Sequence, residues 1–202
     1  LAFVPPGLGR EVLCALWWPE GASLSREALH EAIAERQRAE FARRRQVLEL
    51  AQLELHCAEE VAFITQRVAH ETRLRIGALR AKAERAKDQV WPWRPEMHVV
   101  IRRAVLDELS RPNLCGDCGG AGETMAGALR IVCPACEGRG TLPVSDRSRA
   151  ARIGRDEAAY RRTWRPMYEW LLRQLADAEA EARRQLAAAL RTCEEVETAP
   201  RA

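Results

Sequence analysis

Apolar residues recur at steps of three and four along much of the chain, the spacing that lines one face of an α-helix. Between Ser23 and Pro92 no proline interrupts that pattern. Ser23 or Ser25 can cap the start of a helix that carries acidic residues in its first turn. Further on, Val47, Leu50, Cys57, Val61, Ile64 and Val68 form an apolar stripe on an otherwise charged surface. The run is too long for one globular helix. Residues 23–90 are therefore expected to form either a long arm of the coiled-coil kind, offered to a partner or to a second copy, or a helical hairpin. Gly77, the only glycine inside the run, marks the expected bend.

The stretch "WPWRP", residues 91–95, ends this region in a rigid apolar corner, with Trp91 and Trp93 expected as core wedges. Pro95 and Glu96 suit a helical first turn, and "EMHVVIRRAVLDELS" places Met97, Val100, Ile101, Ala104, Val105 and Leu109 on one side before Pro112 stops it. His98 reads as a surface or satisfied core histidine. Towards the end, Tyr168, Leu171, Leu175, Ala178, Ala182, Leu186, Ala189 and Cys193 predict a C-terminal helix over 167–197, packed on the long helices before Trp91. The opening residues 1–22 are read as irregular.

Two eight-residue stretches break the helical texture. "CGDCGGAG" (115–122) and "CPACEGRG" (133–140) both spell Cys-x-x-Cys-x-Gly-x-Gly. Each Cys-x-x-Cys turn brings two thiolates close enough to share an ion. Two such turns supply Cys115, Cys118, Cys133 and Cys136 as a four-sulfur shell, which predicts one structural Zn2+ in a module spanning 113–141. A full shell leaves no bound water for hydrolysis, so no enzymatic role is expected. The glycines fit a backbone that must turn under the metal. Redox-active pairs would need a βαβ setting, and no β-rich pattern surrounds them. Of the remaining cysteines, Cys57 and Cys193 fall on apolar helical stripes and read as small core residues.

After the module, Ser145 can cap a short helix, Gly154 interrupts it, and Asp156 can cap a second. Counted from Asp146, Ala150 is fifth, Gly154 ninth and Tyr160 fifteenth. A DNA-binding helix-turn-helix places a small residue, a turn glycine and an apolar anchor at those positions, which predicts such a motif over 145–166. Arg161, Arg162, Thr163 and Arg165 then lie on the exposed side of the recognition helix, while Arg147, Arg152 and Arg155 are placed to touch the DNA backbone. Arg149 and Arg155 occupy positions that are often apolar in this motif. Pro166 is expected to break the second helix.

Charge supports the same region. The chain as a whole carries only +3, which predicts no particular partner. From Arg139 to Arg165, however, eight arginines and no lysine face three acidic residues, a density suited to a phosphate backbone. The 202 residues are 47% hydrophobic and 30% charged, enough for one core with a helical extension. No run approaches the ~20 apolar residues of a membrane span. The opening residues lack the features of a signal peptide, so a cytoplasmic protein is expected.

The order of the two Cys-x-x-Cys-x-Gly-x-Gly repeats followed by "AAYRRTWRPMYEWLLRQL" resembles the late-gene antitermination protein Q family of phage lambda and its prophage relatives. The resemblance runs from about Met97 to Leu175, residues 91–175 forming the Q-like region, and rests in its helix on Tyr160, Arg162, Thr163, Pro166, Tyr168, Glu169 and Leu171. It implies binding to double-stranded DNA in a phage late promoter, engagement of paused host RNA polymerase with its sigma factor, and read-through of terminators in the bacterial cytoplasm. It also implies that the four cysteines are the zinc ligands and that Arg161, Arg162, Thr163 and Arg165 meet DNA. The alternatives are a simple DNA-binding repressor and a DnaJ-like zinc module that binds unfolded protein. The DnaJ module normally has four such repeats, and only two occur here. The expected fold is thus mostly α: a helical domain with an inserted four-cysteine zinc module and a helix-turn-helix, plus long N-terminal helices.

Overall fold

Helix dominates the molecule, as the three-and-four spacing requires. The computed structural model describes residues 4, 7–17, 22–65, 70–127 and 129–198, with residues 17, 22–26 and 193–198 described by their backbone alone. In chain order the elements are α1 (Leu8–Trp17), α2 (Ala22–Thr65), α3 (His70–Gln89), α4 (Pro95–Ser110), β1 (Glu123–Ala126), β2 (Leu129–Val132), α5 (Asp146–Arg152), a three-residue α6 (Glu157–Ala159), a π-helical turn (Tyr160–Trp164) and α7 (Arg165–Thr198). Ser23 and Ser25 fall within the first turn of α2, and their side chains lie outside the described residues, as do those of Val68 and Cys193. The chain divides into two units, Leu1–Ile33 with Pro95–Ala202, and Ala34–Arg94.

The smaller unit is a helical hairpin. Ala51 of α2 packs with Ala83 and Ala86 of α3, flanked by Leu48 and Leu55. Antiparallel pairing shows in the cross-links: Arg80 meets Glu59 at 2.6 Å, Lys82 meets Glu54 at 2.6 Å, and the Arg44 guanidinium donates to the Gln89 carbonyl at 2.9 Å. Small alanines let the two helices approach, and the charged pairs flank them. Gly77, the expected bend, lies inside α3 in open space. Trp91 is buried with Arg44 stacked 4.3 Å over its ring, whereas Trp93 is 45% exposed and leans on Phe41. Of the two expected wedges, one is core.

The larger unit corrects the reading of residues 1–22. Leu8, Val12 and Leu13 of α1 are buried, and Val4 and Leu13 cluster with Ala182 and Leu186 of α7. Gly9 faces Ala178 and Ala182 so closely that any Cβ would strike the Ala178 carbonyl. α7 therefore packs against α1 and α4. Tyr168, Leu171, Leu175 and Ala182 of the predicted stripe are buried, and on α4 Met97, His98, Ile101, Ala104, Val105 and Glu108 are buried. His98 is thus a core histidine.

Pro166 does not break the second helix as expected. Helical backbone runs without interruption from Glu157 to Thr198. The reason lies one turn earlier, where the Arg165 amide donates to the carbonyl of Tyr160 in the wide register of a π turn. That wider turn relieves the clash a proline ring makes with the preceding turn of an α-helix.

Candidate metal centre and basic face

The two cysteine repeats fold as near copies of each other. In the first, the Gly122 amide donates to the Cys118 sulfur at 3.3 Å and the Ala121 amide to the Cys118 carbonyl at 3.0 Å. In the second, the Gly140 amide donates to the Cys136 sulfur at 3.3 Å and the Arg139 amide to the Cys136 carbonyl at 3.0 Å. The copies then clasp each other, Cys115 N–H to the Gly140 carbonyl at 2.9 Å and Cys133 N–H to the Gly122 carbonyl at 2.8 Å. The glycine spacing follows from this clasp. Gly122 and Gly140 sit at φ +77° and +71°, and a Cβ on Gly122 would lie 2.5 Å from the Gly138 carbonyl oxygen. Only glycine meets both demands.

The four sulfurs lie within 4.8 Å of one another, with Cys115 and Cys133 at 3.8 Å and Cys118 and Cys136 at 3.7 Å. A tetrahedral ion with metal–sulfur bonds of about 2.3 Å spaces its ligands about 3.8 Å apart, so the cluster fits such an ion. Cys115, Cys133 and Cys136 are buried. Burial works to raise the Cys118 thiol, but amide donors from Gly122 and Gly120 and the neighbouring thiols outweigh it and bring it down to about 7. At Cys133 the Cys136 amide pulls downward, and burial with the Cys136 and Cys115 thiols pushes it up to about 11. Four thiols at such distances share protons unequally, and a cation that accepts four thiolates removes the conflict.

Between the repeats lies an element absent from the sequence reading: an antiparallel hairpin pairing Glu123 with Val132 through Ala126 with Leu129. Its Met125, Leu129, Ile131 and Val132 are exposed. The "MAGALRIV" stretch, with Gly127 at φ +65°, carries a turn signal that could have revealed it. At the module's base Leu114 bridges Thr141, and Asn113 exchanges hydrogen bonds with Leu142.

From this base the chain enters α5, capped by Ser145, whose hydroxyl accepts from the Ser148 amide at 3.2 Å. Gly154 turns at φ +65° and Asp156 caps α6, accepting from the Ala159 amide at 2.8 Å. That bond holds the Asp156 carboxyl below its ordinary range. Ala150 and Tyr160 are both buried, as the spacing predicts. Tyr160 meets Tyr168 edge to face at 5.8 Å, and burial pushes its hydroxyl up to about 12.

The arginines divide into classes that no spacing shows. Arg149 is internal: its guanidinium grips Glu108 at 2.7 Å and stacks over Tyr168, whose hydroxyl donates to the same carboxylate at 2.8 Å. The usually apolar position is thus filled by a neutralised cation. Arg152 pairs with Asp107 and Glu108, and Arg155 reaches the Met97 sulfur. Arg161 and Arg165 converge on Asp146 at 2.9 and 3.4 Å, and each has a second carboxylate, Glu157 and Glu169. Among the described residues Arg147 and Arg162 are exposed and carry no ion pair, and Thr163 is half-buried.

Fold and site together define a mostly helical protein with a four-cysteine cluster placed so that it could hold a metal ion, and among the described residues no helix is long and apolar enough to cross a membrane. Comparison with protein-family models, with curated proteins and with solved structures gives no match in any of the three.

Proposed function

We propose that this chain is a zinc-dependent, non-enzymatic transcription antitermination factor of the protein Q type. It binds double-stranded DNA at a phage late promoter and acts on host RNA polymerase with its sigma factor, in the bacterial cytoplasm. The observation that carries the reading is the direct connection of a four-thiol centre to two capped helical segments bearing exposed arginines, in the order that resembles the Q family. Zinc, held by Cys115, Cys118, Cys133 and Cys136, would supply rigidity and leave no open position for a reacting water. On this reading α5 and the helix from Glu157 onward act as a helix-turn-helix. Arg162 and Arg147 are ready for phosphates or base edges, while Arg161, Arg165, Arg152 and Arg155 exchange internal partners for DNA and Thr163 supports the same face.

The test is transcription in vitro from a late promoter of the source phage through a terminator. Wild-type protein should increase read-through. Substituting Arg161 and Arg162 together by Ala should abolish that increase and weaken specific DNA binding at least about tenfold, a loss of roughly 1.4 kcal/mol, with metal content and helicity unchanged. Read-through and binding that survive the double substitution would refute the assignment. The exposed Met125, Leu129, Ile131 and Val132 favour one second reading, a DnaJ-like module that binds unfolded protein. That reading expects suppression of aggregation that the arginine substitutions leave intact.

A further inference from the structure

A pocket of ≈ 560 Å3 opens at the base of the cysteine module, between the chain leaving α4 and one side of α5. Ser145, Ser148 and Arg152 line it from α5 at steps of three and four, the spacing of a single helix face. Arg111, Asn113 and Leu114 line it from the other side, and among the described residues no carboxylate does. The two walls are joined by the pairing of Asn113 with Leu142 and of Leu114 with Thr141, so the cysteine module sets how far apart the two arginines stand. At the end of α4 the Asp107 carbonyl accepts from the Arg111 amide at 3.0 Å and from the Ser110 hydroxyl at 3.1 Å, which leaves no bare carbonyl there.

The donors that face this pocket are not engaged. Neither the Arg111 nor the Arg152 guanidinium donates a hydrogen bond to a described residue, and the Ser148 hydroxyl makes none. Their contacts with carboxylates are long: Arg111 lies 3.4 Å from Asp107, and Arg152 lies 3.8 Å from Asp107 and 4.0 Å from Glu108. Glu108 is already held by Arg149 at 2.7 Å and by the Tyr168 hydroxyl at 2.8 Å. Two cations at the pocket therefore share one carboxylate, Asp107, and one positive charge is left over. We propose that the pocket seats one phosphodiester of a nucleic-acid backbone, held by the forks of Arg111 and Arg152 with the Ser148 hydroxyl as a further donor. A phosphodiester carries one negative charge, which matches the charge left over, whereas a phosphate monoester carries about 1.5 to 2 at neutral pH. The inference rests on the DNA-binding half of the function proposed above, though not on the promoter or the polymerase. It adds Arg111 and Ser148, and with them the end of α4, to the surface that tracks the backbone.

The experiment uses the full chain with its metal and two probes, the dinucleoside phosphate of two thymidines, which carries one phosphodiester, and a DNA duplex of arbitrary sequence. In nitrogen-edited NMR the Nε–H resonances of Arg111 and Arg152 should move saturably with the dinucleoside phosphate, while those of Arg80 and Arg184 stay in place. With the duplex, Arg111→Gln should weaken binding at low salt at least about threefold and lower the log–log salt slope by roughly 0.9, whatever the sequence. Arg184→Gln makes the same change of charge at an exposed site of α7 and should leave the slope unaltered. Unmoved Arg111 and Arg152 resonances, tighter binding of inorganic phosphate than of the dinucleoside phosphate, or an Arg111→Gln slope equal to that of wild type would each overturn the proposal. Moved resonances and a lowered slope in a protein that gives no terminator read-through would keep the pocket and remove the antitermination reading. Loss of duplex binding on substituting Arg161 and Arg162, with the slope untouched by Arg111→Gln, would do the reverse.

Discussion

Glu108 shows what a single residue costs when its partner is distant in sequence. It sits on the buried side of α4 with its side chain 8% exposed, answered by Arg149 from α5 and by the Tyr168 hydroxyl from α7. Removing the carboxylate alone strands a guanidinium that is itself only 13% exposed. Glu108→Leu is therefore expected to destabilise the fold by about 3 kcal/mol in chemical denaturation, and adding Arg149→Met should recover most of that loss. An equal cost for the single and double variants would show that packing, and not the unpaired charge, matters. At this scale the sequence was uneven in what it disclosed. Ala150, Gly154, Tyr160 and the paired glycines could be read from spacing, because local backbone geometry dictates them. The burial of Arg149 could not, because its compensating charge lies 41 positions away. Cys57, read as core, is exposed because a helix stripe reports a face and not what covers it.

Among the elements, the cysteine module is the one that a bound ion would stabilise most. Its strands β1 and β2 lie largely open to solvent, and its own buried cluster is three of its cysteines, with Cys118 and Leu142 against it. Without an ion that cluster is too small to offset the entropy of ordering the module, whereas zinc supplies on the order of 10 kcal/mol in comparable peptides. Chelation is thus expected to release amide protection across 113–142 while leaving most far-UV helical signal in place, and Cys136→Ser should do the same. Persistence of slow exchange at Gly122 and Gly140 after chelation would contradict this. The long helices were legible from periodicity. Their interruptions were less so: Gly77 passes unnoticed through α3, and a π turn carries the helix past Pro166. The helix α1 went unread because its burial comes from α7, at the other end of the chain.

For the whole molecule, net charge says little and pairing says more. Arg161 and Arg165 both bond Asp146, so a DNA phosphate must displace a carboxylate before either can bind. If the basic face does bind DNA, Asp146→Asn should tighten binding and steepen its salt dependence by roughly 0.9 in log–log slope for each added phosphate contact. Measured affinity across a salt series decides it, and an unchanged slope would mean that Asp146 does not compete. The amino-acid sequence by itself determined the helical class, the grouping of four cysteines that could hold a metal ion and the capped turn at Gly154, since periodicity, ligand spacing and capping act over a few residues. Tertiary structure alone decided that the α2 stripe lies open, that α1 joins α7, and which arginines remain unpaired. Those outcomes depend on which faces meet, and contacts between distant segments leave no local mark in the chain.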